Sequence, residues 1–243
     1  MPAPFEPSPR RVRAVIGGVT VVDTARASLL LEGGPRTVYY FRREDMRGGT
    51  LEPSGRREAS ANKGEATWWT LAVAGRRIEN ACFSYDAPPD NLAAMKGLVA
   101  FAPNIVEHWL EEDEEVWGHP NDPYHRVDVR PSERRVRVRV AGEIVADTRR
   151  AMFLFETGHA ARYYLPQADV RMDLLVPTQR STVCPYKGRA SYWTLRLGGR
   201  EIADVAWGYL DPLPECPRIK GLLCFYPDKV DSIEIEPPTA AAP

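Results

Sequence analysis

Apolar and polar residues alternate with a period of two through most of this chain. Val136-Arg137-Val138-Arg139-Val140, a turn at Ala141-Gly142, then Ile144-Val145-Ala146 predicts a β-hairpin with one apolar and one charged face. Trp193, Leu195 and Leu197 share a face ahead of Gly198-Gly199, and Ile202, Asp204 and Ala206 alternate after that turn. Residues 221–226, a Pro-Asp turn and residues 230–235 predict a closing hairpin. No window longer than about ten residues carries a convincing helical period. Short strands punctuated by 22 prolines and 18 glycines predict an all-β, mainly antiparallel protein with little helix.

The pattern occurs twice. Shifting the sequence by 124 positions lays residues 11–106 on 135–230 without a gap. Arg11-Val12-Arg13 meets Arg135-Val136-Arg137, Tyr39-Tyr40 meets Tyr163-Tyr164, and Lys63-Gly64 meets Lys187-Gly188. Two copies of a domain of about a hundred residues follow, each large enough for its own core. The expected layout is a tail at 1–10, a first repeat at 11–110, a packed connector at 111–132, a second repeat at 133–236 and a tail at 237–243. The connector opens with an acidic run, residues 111–115, expected as a solvated face. Its Trp117, His119, Tyr124 and His125 are unusual for a flexible linker and predict packing.

Composition narrows the function. A net charge of −1 offers no basic face for nucleic acid, and no apolar run is long enough to span a bilayer, so no nucleic-acid or membrane partner is expected and the cytoplasm is the default location. The four cysteines at 82, 184, 216 and 224 lack disulfide-framework or zinc spacing. They read as reduced thiols, and no cofactor or metal is expected. The sequence does not fix the oligomeric state.

The run Cys184-Pro185-Tyr186-Lys187-Gly188-Arg189-Ala190-Ser191-Tyr192-Trp193 resembles the family called domain of unknown function 427, DUF427. Tyr163-Tyr164-Leu165-Pro166 with Asp169-Val170, Trp207-Gly208-Tyr209 and the connector from His119 to Asp128 agree with it. The resemblance implies two tandem β-tent domains, each of two antiparallel sheets pinned at one edge and splayed at the other, an architecture similar to methionine sulfoxide reductase B and the ligand domain of cereblon. The family also carries a nucleotidyltransferase-like label, but fold and label do not establish chemistry.

The repeat retains Glu32/Glu156, Tyr40/Tyr164, Asp45/Asp169 and Lys63/Lys187 among its polar positions. A lysine before a glycine at the mouth of an aromatic strand is placed where a ligand can approach backbone while the ammonium supplies a point charge; the alternative is a surface lysine. In the second repeat the candidate binding residues are Glu156, Tyr163, Tyr164, Asp169, Tyr186, Lys187, Trp193, Trp207 and Tyr209. Their counterparts in the first are Glu32, Tyr40, Asp45, Lys63 and Trp69. Such a lining suits a small planar or anionic metabolite, and equally suits a packed core. The second copy, with more aromatics around its lysine, is expected to hold the better cleft. One alternative is an enzyme using Cys184 as nucleophile, with Lys187 favouring the thiolate. Nucleotidyl transfer ranks last, since no glycine-rich phosphate loop is present. A purely structural interaction module is the remaining reading.

Overall fold

A computed structural model describes residues 5–31, 37–117 and 119–237, and the chain divides between Asp122 and Pro123 into two compact units. The first holds β1 (Phe5–Pro7), β2 (Val12–Ile16), β3 (Val19–Thr24), β4 (Ser28–Leu30), β5 (Val38–Arg42), β6 (Gly49–Ser60), β7 (Gly64–Val73), β8 (Arg76–Tyr85), β9 (Leu98–Phe101), β10 (His108–Glu111) and β11 (Glu114–Val116). The second holds β12 (Val127–Pro131), β13 (Val136–Val140), β14 (Glu143–Thr148), β15 (Met152–Glu156), β16 (Arg162–Tyr164), β17 (Leu175–Cys184), β18 (Gly188–Leu197), β19 (Arg200–Gly208), β20 (Leu223–Phe225) and β21 (Ser232–Ile235). Helical turns are short 3-10 segments, the longest being Asp90–Met95. The protein is all-β, and among the described residues every pairing between its strands is antiparallel.

In the first unit a seven-stranded sheet, ordered β1-β4-β5-β9-β8-β7-β6, faces a four-stranded sheet, β11-β10-β2-β3. In the second, β12-β15-β16 and β17-β18-β19-β20 repeat the long sheet, joined by a bridge from Leu165 to Leu223, and β14-β13-β21 repeats the short one. The register repeats residue by residue: Phe5 opposes Leu30 as Val129 opposes Leu154, and His108 opposes Val15 as Ser232 opposes Arg139. The duplication therefore reaches beyond the stretch from 11 to 106 at both ends.

Each long sheet packs apolar residues on both faces of its central strands, while β6 and β17 at its edge are largely exposed. In the second unit Trp193, Leu195, Val205, Ala206 and Phe225 meet Val136, Val138 and Val145 of the short sheet in an inner core. Tyr164, Tyr192, Trp207, Tyr209, Cys216 and Ile219 make a second core on the outer face, where the 3-10 turn Pro217–Ile219 covers it. The first unit repeats both layers, with Tyr39, Phe41 and Leu71 inside and Tyr40, Tyr85, Leu92 and Met95 outside. Neighbouring residues on a strand point to opposite faces, which is why Tyr163 and Tyr164 serve different cores.

Several expectations are corrected. Phe5–Pro7, expected within a tail, is an edge strand, and the Phe5 ring meets Tyr40 edge-on at 5.5 Å. The rest of the expected tails, residues 1–4 and 238–243, lies outside the described residues. Residues 111–132 are not a separate connector: β10 and β11 belong to the first unit and β12 to the second. Within the acidic run, Glu111 is buried and accepts a hydrogen bond of 2.7 Å from the Tyr39 hydroxyl while pairing with Arg10. The predicted closing hairpin does not form, because β20 pairs with β19 whereas β21 pairs with β13 of the other sheet. Alternation through Ile202, Asp204 and Ala206 breaks at a bulge where Asp204 has φ 49°, so Val205 and Ala206 are both buried. The Ala141-Gly142 turn is as expected, with φ of 50° and 81°, a primed hairpin turn.

Candidate functional site

The two halves of the predicted second-repeat site fall on opposite faces of one sheet. Trp193 and Tyr163 belong to the inner core. Tyr164, Trp207 and Tyr209 line the outer one, with Cys184 half-buried against it. Lys187 and Glu156 lie on this outer side, where their charges reach Cys216 and that of Glu156 reaches Tyr209. Trp193 and Lys187 thus do not frame a common cleft. Asp169 is engaged elsewhere: it accepts 2.6 Å hydrogen bonds from Thr148 and Arg150. The Arg150 and Thr148 bonds hold its carboxyl below the usual range. Asp45 repeats the arrangement with Thr24 and Arg26. Both aspartates tie a 3-10 turn to the end of an earlier strand.

Lys187 is 6% exposed, and its Nζ donates to Glu156 Oε1 at 2.6 Å. The same oxygen accepts from His125 Nε2 at 3.0 Å. The His125 ring stacks on Tyr186 with centroids 4.0 Å apart and planes 18° apart, and His159 meets it edge-on at 6.3 Å. Burial pushes the Glu156 carboxyl up, but the Lys187 bond and charge, helped by His125 and His159, overcome it and hold the carboxyl below its ordinary value. The site is therefore a buried ion pair capped by a stacked imidazole and phenol. Burial pushes the Cys216 thiol up to about 11 and raises the Tyr209 and Tyr164 hydroxyls further.

The glycine after each lysine serves the fold. Gly188 has φ 97°, and a side chain there would press on Leu213; the Leu213 amide donates to the Lys187 carbonyl at 3.1 Å. Gly64 has φ 88°, and a Cβ would sit 2.9 Å from the Ala87 carbonyl oxygen. The close backbone approach is to the protein's own loop.

In the first unit the same outer-face position is a pocket of about 240 Å³ lined by Glu58, Ser60, Lys63, Trp68, Phe83 and Tyr85, with Ala59 and Ala66. These residues occupy the positions of Thr182, Cys184, Lys187, Tyr192, Trp207 and Tyr209, with Val183 and Ala190, in the other copy. Arg56 lies 4.3 Å over the Trp68 ring as Arg180 lies 4.6 Å over Tyr192. Tyr40 stands behind Phe83, edge-on at 6.1 Å. Trp69 faces the inner core instead, donating to Ser84 Oγ at 3.0 Å under Arg43. Glu32, the counterpart of Glu156, lies outside the described residues.

Sequence reading missed His125, Trp68, Phe83 and Tyr85. Strand parity could have found Trp68, which shares a face with Gly64 and Ala66, whereas Trp69 shares one with Thr67. His125 carried only the weaker signal of an aromatic-rich connector.

Fold and site together define a tandem all-β repeat protein in which each unit presents one lysine beside an aromatic outer core. The sequence model of the domain of unknown function DUF427 matches residues 4–112 and again 128–236, and the chain belongs to that family. The two matches are offset by the same 124 residues as the strand register. No curated protein matches the chain. Among the described residues no helix is long and apolar enough to cross a membrane.

Proposed function

We propose that this protein is a small-molecule binding module whose ligand sites are the outer-face hollows beside Lys63 and Lys187. The observation that carries the reading is the first unit's pocket, where Lys63 faces Trp68, Phe83 and Tyr85 across a volume fit for a compact metabolite. Planar ligands suit it, because tilted and edge-on rings are the surfaces available. The sequence favours the second copy; there the His125 ring, stacked on Tyr186, bonds Glu156, the carboxylate paired with Lys187. A thermal-shift screen of a metabolite library on the full chain, followed by titration calorimetry, tests this. A ligand must lose at least about tenfold in affinity on Trp68→Ala or Lys63→Ala. If true ligands bind both variants as they bind wild type, the pocket is not the site.

A further inference from the structure

The second unit's polar cluster has hydrogen-bonding capacity that its own residues do not use. An ammonium carries three donors and a carboxylate two acceptor oxygens. Among the described residues the only partner of Lys187 Nζ is Glu156 Oε1, which also takes the His125 bond, and Glu156 Oε2 accepts from none. The side chains of Lys187 and Glu156 are only 8% and 11% exposed. Glu156 Oε2 keeps contact with solvent, and the open valences sit side by side at that edge of the pair, two N–H donors next to one carboxylate oxygen that an arriving group can reach.

Charge decides what fits. Glu156 is held ionised by Lys187, so the pair sums to zero. An arriving anion would lose its hydration, find the ammonium already balanced, and face the Glu156 carboxylate 2.6 Å from that ammonium. A neutral group presenting an acceptor beside a donor would satisfy both open valences and leave the ion pair intact.

We infer that the second unit's site selects an uncharged planar ligand bearing a carbonyl acceptor and an N–H donor on one edge, an aryl amide being the simplest case, and rejects the corresponding carboxylate. The carbonyl accepts from Lys187 Nζ, the amide N–H donates to Glu156 Oε2, and Glu156 is the residue that sets the charge preference. This rests on the ligand-site reading above and refines it.

Nicotinamide and nicotinate are matched probes, alike in shape and different in charge. Their affinities are measured by titration calorimetry on the full chain carrying Trp68→Ala, which silences the first unit's pocket. Nicotinamide is expected to bind at least about tenfold more tightly than nicotinate, and Glu156→Gln, which uncovers the Lys187 charge, to invert the preference by a similar factor. Equal affinities, a preference for nicotinate before the change, or no inversion after it overturns the charge rule while leaving a ligand site in place. If neither probe binds either protein, the rule and the site reading fall together. Should Glu156→Gln fail to fold, the double variant Glu156→Gln/Lys187→Met, which buries no charge, must lose the preference; retention of it overturns the proposal.

Discussion

Glu156 and Lys187 show how a buried pair constrains a residue beyond its bond. Lys187→Met leaves the buried carboxylate without its ammonium and with His125 as its remaining partner, and about 3–5 kcal/mol of stability should be lost in urea denaturation at neutral pH. The pH dependence follows from the direction of the Glu156 shift. Its folded value lies below the ordinary 4.5, so its contribution is present above that value and disappears as pH falls through the lower folded one. Urea midpoints from pH 7 to pH 3 should show wild type losing more stability than Lys187→Met; parallel curves would refute the linkage. In the first unit Glu111 is a comparable anchor, between the Tyr39 hydroxyl and Arg10. The second unit has Ile235 at that position. Glu111→Ile should nonetheless cost about 1–3 kcal/mol, because it orphans a buried hydroxyl, and a denaturation midpoint unchanged within error would contradict this.

Strands and turns carry most of what could be read from the sequence. The valine and arginine alternation of β13 and the Trp193-Leu195-Leu197 face are as the period of two predicts, since both of these faces pack on the one inner core. Legibility fails where geometry departs from that period. The bulge at Asp204 puts Val205 and Ala206 both inside. The outer core makes the second face of the long sheet apolar too, so hydrophobicity alone does not separate the adjacent aromatics Tyr192 and Trp193, and only parity counted from Gly188 assigns Tyr192 to the lysine's face. The Glu156 and Lys187 pair was visible as two retained positions, but its joining to His125 was not, because that contact spans separate elements brought together only by folding. At the Lys-Gly motif the backbone that approaches each glycine is the protein's own loop, Ala87 beside Gly64 and Leu213 beside Gly188. Gly188→Ala, forcing a Cβ into a backbone at φ 97° and against Leu213, should lower stability by about 1 kcal/mol or more on a thermal melt, with no effect expected from a freely adaptable loop.

At the scale of the whole molecule, each unit closes its own cores: among the described residues, the inner and outer clusters of the first contain no residue of the second, and the converse. Separately produced pieces, residues 1–122 and 123–243, should each melt cooperatively with near-ultraviolet circular dichroism typical of packed aromatics. A piece lacking that signal would show that its cores need the rest of the chain. The shared register between the copies has a further consequence for folding. An edge such as Phe5–Pro7 docks on Ser28–Leu30 through the same backbone pattern by which Val129–Pro131 docks on Met152–Leu154. The polypeptide thus contains interchangeable parts, and a nascent or refolding chain can seat one half's edge in the other's berth, a kinetic trap that a single-copy relative would never meet.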